Sequence, residues 1–343
     1  MANHNEAMKK LLEILVSPDH GTLKSLEEID AVGHRMVHGG EVFKKSVLIT
    51  PEVMEEFKKL IPLAPLHNPA NIMGVEAVQE VLPSVPNVAV FDTAFFQTMT
   101  PEHYLYALPR EYYDNYKIRK YGFHGTSHDY ISHRACEILG KDYHSTKLIT
   151  CHVGNGASIS AIKDGKALET SLGFTPLEGL IMGTRCGDID PAIVPYLMKK
   201  EGLSADEVDA VMNKKSGILG LYNGKSNDMR DIEDGFLEGK KEESQILNIY
   251  VNRILKYIGS YTALMDGVDV IVMAAGVLER SPVIRSLIVK QLGWLGVTLD
   301  ESVNNFREEE RVISTPESTV TVIVVPTNEE YMIAKDTYEL TKE

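Results

Sequence analysis

The chain has 343 residues, with 35 lysines and arginines against 49 aspartates and glutamates, and a formal net charge of -14 at pH 7. This length allows two domains with substantial cores, whereas the dispersed acidic residues argue against nucleic acid and anionic membrane surfaces as partners. Three cysteines without paired spacing indicate a reducing compartment. The amphipathic segment 8–16 is too short for a membrane span, so we expect a cytoplasmic protein.

Helical and strand patterns alternate along the chain, which is typical of an α/β protein. Apolar residues at helical spacing over 246–261 predict a long, largely buried helix. Runs rich in β-branched residues predict strands at 88–91, 148–151, 159–162, 268–273 and 320–325. After the last strand, Thr327 and Glu330 have capping-box spacing, so we expect the C-terminal helix to start there.

Two of the predicted strands end in turns of small residues. Gly154 and Gly156 follow the strand 148–151, and Gly276 follows the strand 268–273. Because α/β sheets bind ligands at the carboxyl ends of their strands, these turns suggest a nucleotide held between them. The other interpretation is that Gly154 and Gly156 merely close a tight turn. A Gly-x-Gly pattern alone is weak evidence for nucleotide binding.

Two histidine pairs, His34/His38 and His124/His128, have a four-residue spacing that on a helix could bind zinc. No glutamate stands between them in a His-Glu-x-x-His pattern, and the glycine after His124 favours a turn. A zinc hydrolase is therefore the weaker interpretation. We expect Ser127 to cap a helix that begins at His128, and His124 to act as a positioned hydrogen-bond donor.

A series of motifs then stands in the order found in acetate kinases. They are HRMVHGG (34–40), PLHNPAN (65–71), FDTAF (91–95), YGFHGTSH (121–128), CHVGNGAS (151–158), MGTRCGDIDP (182–191), SNDMR (226–230) and NEE (328–330). From about residue 4 onward the chain resembles this family. The resemblance implies a two-domain, actin-like (ribonuclease H-like) acetokinase fold. The expected N-terminal domain comprises residues 1–94 and 329–343. The expected C-terminal domain, residues 95–328, would bind nucleotide and form the homodimer.

The resemblance has two notable departures. The family's opening segment, with its Asn-Ala-Gly-Ser-Ser-Ser-type turn, is missing here, so we expect an incomplete first domain. Leu278 and Arg280 replace a glycine and an asparagine of the family's Gly-Ile-Gly-Glu-Asn loop. A leucine could not replace a glycine of positive φ without strain. Weak or undetectable acetyl phosphate formation is the expected consequence.

The implied activity is reversible phosphoryl transfer between ATP and acetate, giving ADP and acetyl phosphate, with Mg²⁺ or Mn²⁺ as cofactor. The alternatives are a propionate kinase and a truncated, inactive paralogue that only binds nucleotide. Such a transfer brings two anions together, so it depends on charge neutralisation and positioning. An arginine fork suits a planar carboxylate, and a carboxylate buried after a strand needs a partner or a cation.

The resemblance assigns roles residue by residue. The implied catalytic residues are Arg35, Asp92, His124 and Arg185. The implied magnesium-linked residue is Glu329. The implied substrate-binding residues are Arg35, Val37, Leu66, His67, Phe123 and Pro176, of which Val37 argues for acetate over propionate. The implied ATP-binding residues are His152, Val153, Gly154, Asn155, Gly156, Asp228, Met229, Arg230, Gly276, Val277, Leu278, Glu279 and Arg280.

Overall fold

The structure is a computed structural model, and it describes residues 4–65 and 67–342. Its strands are β1 (Val32–Met36), β2 (Val47–Leu48), β3 (Asn87–Phe91), β4 (Leu148–Val153), β5 (Ala157–Lys163), β6 (Lys166–Thr170), β7 (Val270–Ala274), β8 (Arg311–Val312) and β9 (Thr321–Val324).

The helices follow in chain order. They are α1 (His4–Leu15), α2 (Pro51–Lys59), α3 (Asn68–Val81), α4 (Pro101–Tyr104), α5 (Arg110–Tyr116), α6 (Gly125–Leu139), α7 (Ile193–Glu201), α8 (Ala205–Lys214), α9 (Gly217–Leu221), α10 (Met229–Leu237), α11 (Lys241–Met265), α12 (Gly276–Arg280), α13 (Pro282–Val289) and α14 (Glu329–Thr341). No helix of the described residues is long and apolar enough to cross a membrane.

The chain divides into two compact units. Unit 1 comprises the described parts of 1–97, 123–126 and 328–343, and unit 2 comprises 98–122 and 127–327. That the functional domains divide at 94/95 and 328/329 stays a prediction. Each unit is described by itself below.

Unit 1 is built on a three-stranded sheet in the order β1-β3-β2. β1 runs parallel to β3, and β2 runs antiparallel to it. The rings of Phe43 and Phe91 stack 4.5 Å apart in the core beneath this sheet. The C-terminal helix α14 packs on β1, where a Cβ at Gly33 would lie only 2.3 Å from Thr337 Oγ1. Glycine in β1 therefore makes room for this helix.

Unit 2 contains a six-stranded sheet in the order β6-β5-β4-β7-β9-β8. Its parallel strands β4 and β7 are buried along their whole length, as their largely apolar sequences predict. The predicted long helix is confirmed as α11, whose buried residues include Ile246, Ile254 and Ile258. The five predicted strands are also confirmed, with bounds shifted by a few residues.

Two predicted helix starts are wrong. α6 begins at Gly125 rather than after Ser127, and the Ser127 hydroxyl lies 2.7 Å from both His152 Nδ1 and Thr327 Oγ1. α14 is capped by Asn328, whose Oδ1 accepts the N–H of Tyr331 at 3.0 Å. Both hydroxyls that looked like caps in the sequence are thus used in tertiary hydrogen bonds.

Candidate active site

An arginine and a buried aspartate form a fixed pair in unit 1. Arg35 lies on β1, and Asp92 directly follows the neighbouring strand β3. Arg35 donates from Nε to Oδ1 at 2.9 Å and from Nη2 to Oδ2 at 2.7 Å. Asp92 is 1% exposed, whereas the Arg35 side chain keeps 43% of its surface in solvent. This carboxylate holds the guanidinium in one orientation and raises its pKa, and the outer edge stays open to an anion.

Glu329, in the first turn of α14, lies beside this pair. Its Oε1 is 4.0 Å from Arg35 Nη2, and this buried oxygen has no hydrogen-bond partner among the described residues. Burial raises the pKa of Glu329, and the nearby charge of Asp92 adds to the effect while Arg35 opposes it. A buried carboxylate oxygen without a donor is suited to a cation.

His124 has a left-handed backbone with φ of 58°, which is rare for a residue other than glycine. The next residue, Gly125, donates its N–H to the carbonyl of Asp92 at 3.0 Å. A Cβ at Gly125 would lie 2.1 Å from that carbonyl oxygen, so this close approach requires glycine. The turn therefore fixes His124 next to the peptide of Asp92. Strained backbone of this kind often marks functional positions.

Three of the predicted acyl-pocket residues, Val37, His67 and Phe123, belong to unit 1. Val37 follows β1 and is half-buried, and its N–H donates to Asn71 Oδ1 at 3.0 Å. The buried ring of Phe123 meets that of His38 edge-on at 5.5 Å. His67 immediately precedes α3. Leu66 lies outside the described residues, and Pro176 belongs to unit 2.

Arg185 is the contrasting arginine, in unit 2. Its Nη1 donates to the carbonyl of Pro176 at 3.0 Å, and the described residues place no carboxylate within ion-pair distance. Burial lowers its pKa, but a guanidinium titrates far above neutrality. The half-buried cation is therefore not neutralised by the protein, and it is suited to an anionic ligand.

A cavity of about 780 Å³ opens in unit 2 at the carboxyl ends of β4 and β7. The parallel pairing of these strands brings their turns together, because a Cβ at Gly154 would lie 3.8 Å from Gly276 N. This volume is in the range of small-molecule and cofactor sites. The predicted ATP-binding residues that line it are Gly154, Asn155, Asp228, Met229, Arg230, Gly276, Val277 and Arg280.

The remaining predicted ATP-binding residues, His152, Val153, Gly156, Leu278 and Glu279, do not line this cavity. Val153 and Leu278 are fully buried. Glu279 Oε1 accepts the N–H groups of Ala275 at 2.5 Å and Thr327 at 3.0 Å, so it ties two backbone segments together.

The expected conflict at Leu278 does not arise. Residues 276–280 form the helix α12 rather than a loop, and Leu278 packs into the core without a positive φ. The left-handed residue is Ala275, with φ of 65°. The physical reason for expecting weak ATP binding is therefore wrong at this position.

Sequence reasoning missed several residues of the cavity wall. They are Gly183, Ile218, Asn227, Glu233, Asp234, Tyr250, Ser281, Arg307 and Glu308. Gly183 had a signal, because it stands in a glycine-rich motif, and a Cβ there would lie 2.1 Å from Asn155 Oδ1. Arg307 and Glu308 belong to a charged run that by itself indicates only a solvated turn.

A buried arginine holds that charged run in place. Arg285 is fully buried and donates to the carbonyls of Leu278, Glu279, Asn304 and Phe306. Burial lowers the pKa of Arg285 to about 10. These hydrogen bonds join α12 to the segment before Arg307, so they fix one wall of the cavity.

No group of three or more His, Cys, Asp or Glu side chains in the described parts of the chain is arranged to hold a metal ion. The helical spacing considered for zinc does not apply, because His34 lies on the strand β1 and His124 precedes α6. Magnesium needs no such cluster, because it keeps waters and takes one or two protein carboxylates with phosphate oxygens.

Known proteins match this chain over nearly its whole length. The sequence profile of the acetokinase family matches residues 1–335. The acetate kinase of Thermotoga maritima is 58% identical over 342 residues, which cover 99% of this chain and 85% of that protein. The acetate kinase of Clostridioides difficile is 56% identical and covered to 86%.

Solved structures agree with the sequence matches. The acetate kinase of Porphyromonas gingivalis superposes with a TM-score of 0.95 at 53% identity, over 100% of this chain and 86% of that one. A propionate kinase from Francisella tularensis gives a TM-score of 0.91 at 42% identity, over 98% and 84%. The predicted α/β, actin-like fold is confirmed, whereas a missing opening segment and an incomplete first domain are not borne out. The chain belongs to the acetokinase family.

Proposed function

We propose that the protein transfers a phosphoryl group reversibly between ATP and acetate, giving ADP and acetyl phosphate. The observation that carries the proposal is Arg185, a half-buried cation without a carboxylate partner among the described residues. Transfer between a nucleotide and a carboxylate needs such unneutralised charge, since both reactants are anions. The names of the matched relatives, acetate kinases, support the choice of substrate.

The geometry of each unit supports the proposed roles. Arg35, oriented by Asp92, offers its open guanidinium edge to the acetate carboxylate and to the phosphoryl group. His124 donates a hydrogen bond to the phosphoryl oxygens as their charge grows in the transition state. Arg185 stabilises the same developing charge. The turns at Gly154 and Gly276 receive the nucleotide phosphates in the cavity of unit 2.

A divalent cation, Mg²⁺ or Mn²⁺, fits the orphaned oxygen of Glu329. Glu329 would hold it together with phosphate oxygens and water, and the cation would supply neutralisation of phosphate charge. The cavity supports ATP binding there, because Leu278 is buried and Gly276 lines the open space.

A coupled assay of the purified chain with ATP, magnesium and acetate tests the proposal. We expect acetyl phosphate formation, with propionate as the poorer substrate. Propionate kinase is the second candidate, because one of the similar structures is a propionate kinase. Nucleotide binding without turnover on either acid would instead support the inactive paralogue.

Replacement of Arg185 separates catalysis from stability. Arg185→Ala should lower kcat by about two to three orders of magnitude, because it removes a preorganised charge donor, and Arg185→Lys should recover part of the loss. The melting temperature should change little, since the described residues give Arg185 no ion-pair partner. Arg110→Ala, which removes an exposed ion pair with Asp114 and a cation–π contact with Tyr113, is the control. Equal losses of kcat in Arg185→Ala and Arg110→Ala would contradict the catalytic role of Arg185.

Glu329→Gln tests the cation site. It should raise the magnesium concentration needed for half-maximal rate by about tenfold or more, because a neutral amide is a weaker ligand. The exposed neighbour gives the control Glu330→Gln, which should leave this concentration unchanged. An equal rise of the half-maximal magnesium concentration in both variants would show that Glu329 is not a ligand of the cation.

Val37→Ala tests the acyl pocket. A larger pocket should raise the ratio of kcat/KM for propionate over acetate by about tenfold, since one methylene is worth about 1–3 kcal/mol. Val42→Ala, at an exposed position, is the matched control. An unchanged ratio of the two kcat/KM values would show that Val37 does not line the acyl pocket.

We also propose a homodimer that covers α7. None of the nine residues of this apolar helix, all of them described, is buried within the chain. Tyr196 on α7 is 63% exposed. A second copy would remove this apolar surface from water.

Light scattering of Tyr196→Glu tests the dimer. The wild type should be a dimer and Tyr196→Glu a monomer, because the dimer would bury an unpaired charge. Tyr116→Glu, at an equally exposed position on α5, should stay dimeric. A monomeric wild type, or a dimeric Tyr196→Glu variant, would contradict the proposal.

A further inference from the structure

The segment that carries Arg185 is a loop whose two ends are tied together by one aspartate. Asp188 Oδ1 accepts the N–H of Gly179 at 2.8 Å, and the N–H of Asp188 donates to the carbonyl of Gly179 at 3.0 Å. These two bonds close the loop 179–188. Arg185 lies within it, and its own carbonyl accepts the N–H of Met182 at 3.1 Å.

The closed ends are anchored on the long helix α11. Tyr257 donates its hydroxyl to Asp188 Oδ2 at 2.8 Å. Arg253 donates to the carbonyl of Gly179 at 2.8 Å and to the carbonyl of Asp188 at 3.1 Å. Arg253 and Tyr257 are four residues apart on this helix, so they lie on one face. α11 also carries a buried apolar face, which makes it a firm support.

Steric contacts leave the closed loop little freedom. Gly187 has φ of 65°, and a Cβ there would lie 2.4 Å from the carbonyl oxygen of Gly179. Gly179 has φ of 105°, and its Cβ would lie 2.6 Å from the carbonyl oxygen of Ser171. The two ends are therefore in backbone contact, which only glycine permits.

The same arrangement accounts for Asp188 not pairing with Arg185, which has no counterion among the described residues. Asp188 is only three residues away, but its carboxylate oxygens are used by Gly179 and Tyr257. Its charge is balanced by Arg253, whose Nη1 is 3.6 Å from Oδ2. Asp188 thus holds the loop and leaves the guanidinium of Arg185 available to an anion.

We propose that Asp188, held by Tyr257 and Arg253, is a positioning residue that sets the place of the Arg185 guanidinium. The inference rests on the proposed function, in which Arg185 stabilises the transferring phosphoryl group. In this proposal Asp188, whose carboxylate is bonded to Gly179 and Tyr257, acts only through the loop. A misplaced charge donor loses much of its effect, since an error of about 1 Å can cost about a hundredfold in rate.

The kinetic test is a double-mutant cycle on the full chain with ATP, magnesium and acetate. Asp188→Asn should lower kcat by about tenfold to a hundredfold, and Tyr257→Phe by about tenfold, with the KM for ATP little changed. In an Arg185→Lys background, Asp188→Asn should cause a much smaller loss, because the group it positions has been replaced. The same loss in both backgrounds would overturn the proposal.

Hydrogen exchange without substrates gives a readout that does not depend on activity. Asp188→Asn and Tyr257→Phe should speed exchange of the amides of 180–187, while those of β4 and α11 stay protected. Tyr143→Phe, which removes a half-buried hydroxyl bonded to Ser132, is the matched control and should leave that loop unchanged. Unchanged exchange of the amides of 180–187 in the Asp188→Asn variant would overturn the inference. A wild type without turnover would instead refute the proposed function, and the exchange result would still decide whether Asp188 holds the loop.

Discussion

The parallel pairing of β4 with β7 is the constraint on which the cavity of unit 2 depends. The two strands are buried along their length, so their backbone groups are satisfied within the sheet and their register is fixed. Fixed register brings the turns at Gly154 and Gly276 together at one edge of the sheet. The walls are then completed by α10 and by the segment that Arg285 holds, so the cavity is a consequence of strand order.

The chain carries a large excess of negative charge, and its candidate arginines differ in how they are neutralised. Arg35 is held by Asp92 in a bidentate pair and keeps an open edge. Arg230 is paired with Asp228 at the mouth of the cavity. Among the described residues, Arg185 has one carbonyl and one sulfur contact and no carboxylate partner. This difference is the electrostatic basis for assigning Arg185 to the transferring group.

Leu278, which stands where the acetate kinase motif has a glycine, does not line the cavity. Residues 276–280 form α12, and the Leu278 side chain is buried in the core. The unusual backbone conformation is at Ala275, whose N–H donates to Glu279 Oε1. The left-handed backbone of Ala275 is thus stabilised by the buried carboxylate of Glu279, which also accepts the N–H of Thr327.

Local signals in the sequence were enough to predict the strands 148–151 and 268–273, the long helix α11 and the glycine turns, because periodicity and glycine report local conformation. Ser127 and Thr327 show where local signals fail. Both looked like helix caps, but their hydroxyls lie 2.7 Å apart across 200 positions of the chain. Short-range spacing carries no information about such a contact.

The sequence by itself determined which residues are charged, which turns need glycine and which family motifs are present. Only the tertiary structure decided which charges are neutralised. Asp92 meets Arg35 across 57 positions, whereas Asp188, three residues from Arg185, bonds Gly179 and Tyr257 instead. The partner of a side chain depends on how distant segments pack, and that packing follows from the buried sheet and α11 rather than from neighbours in the sequence.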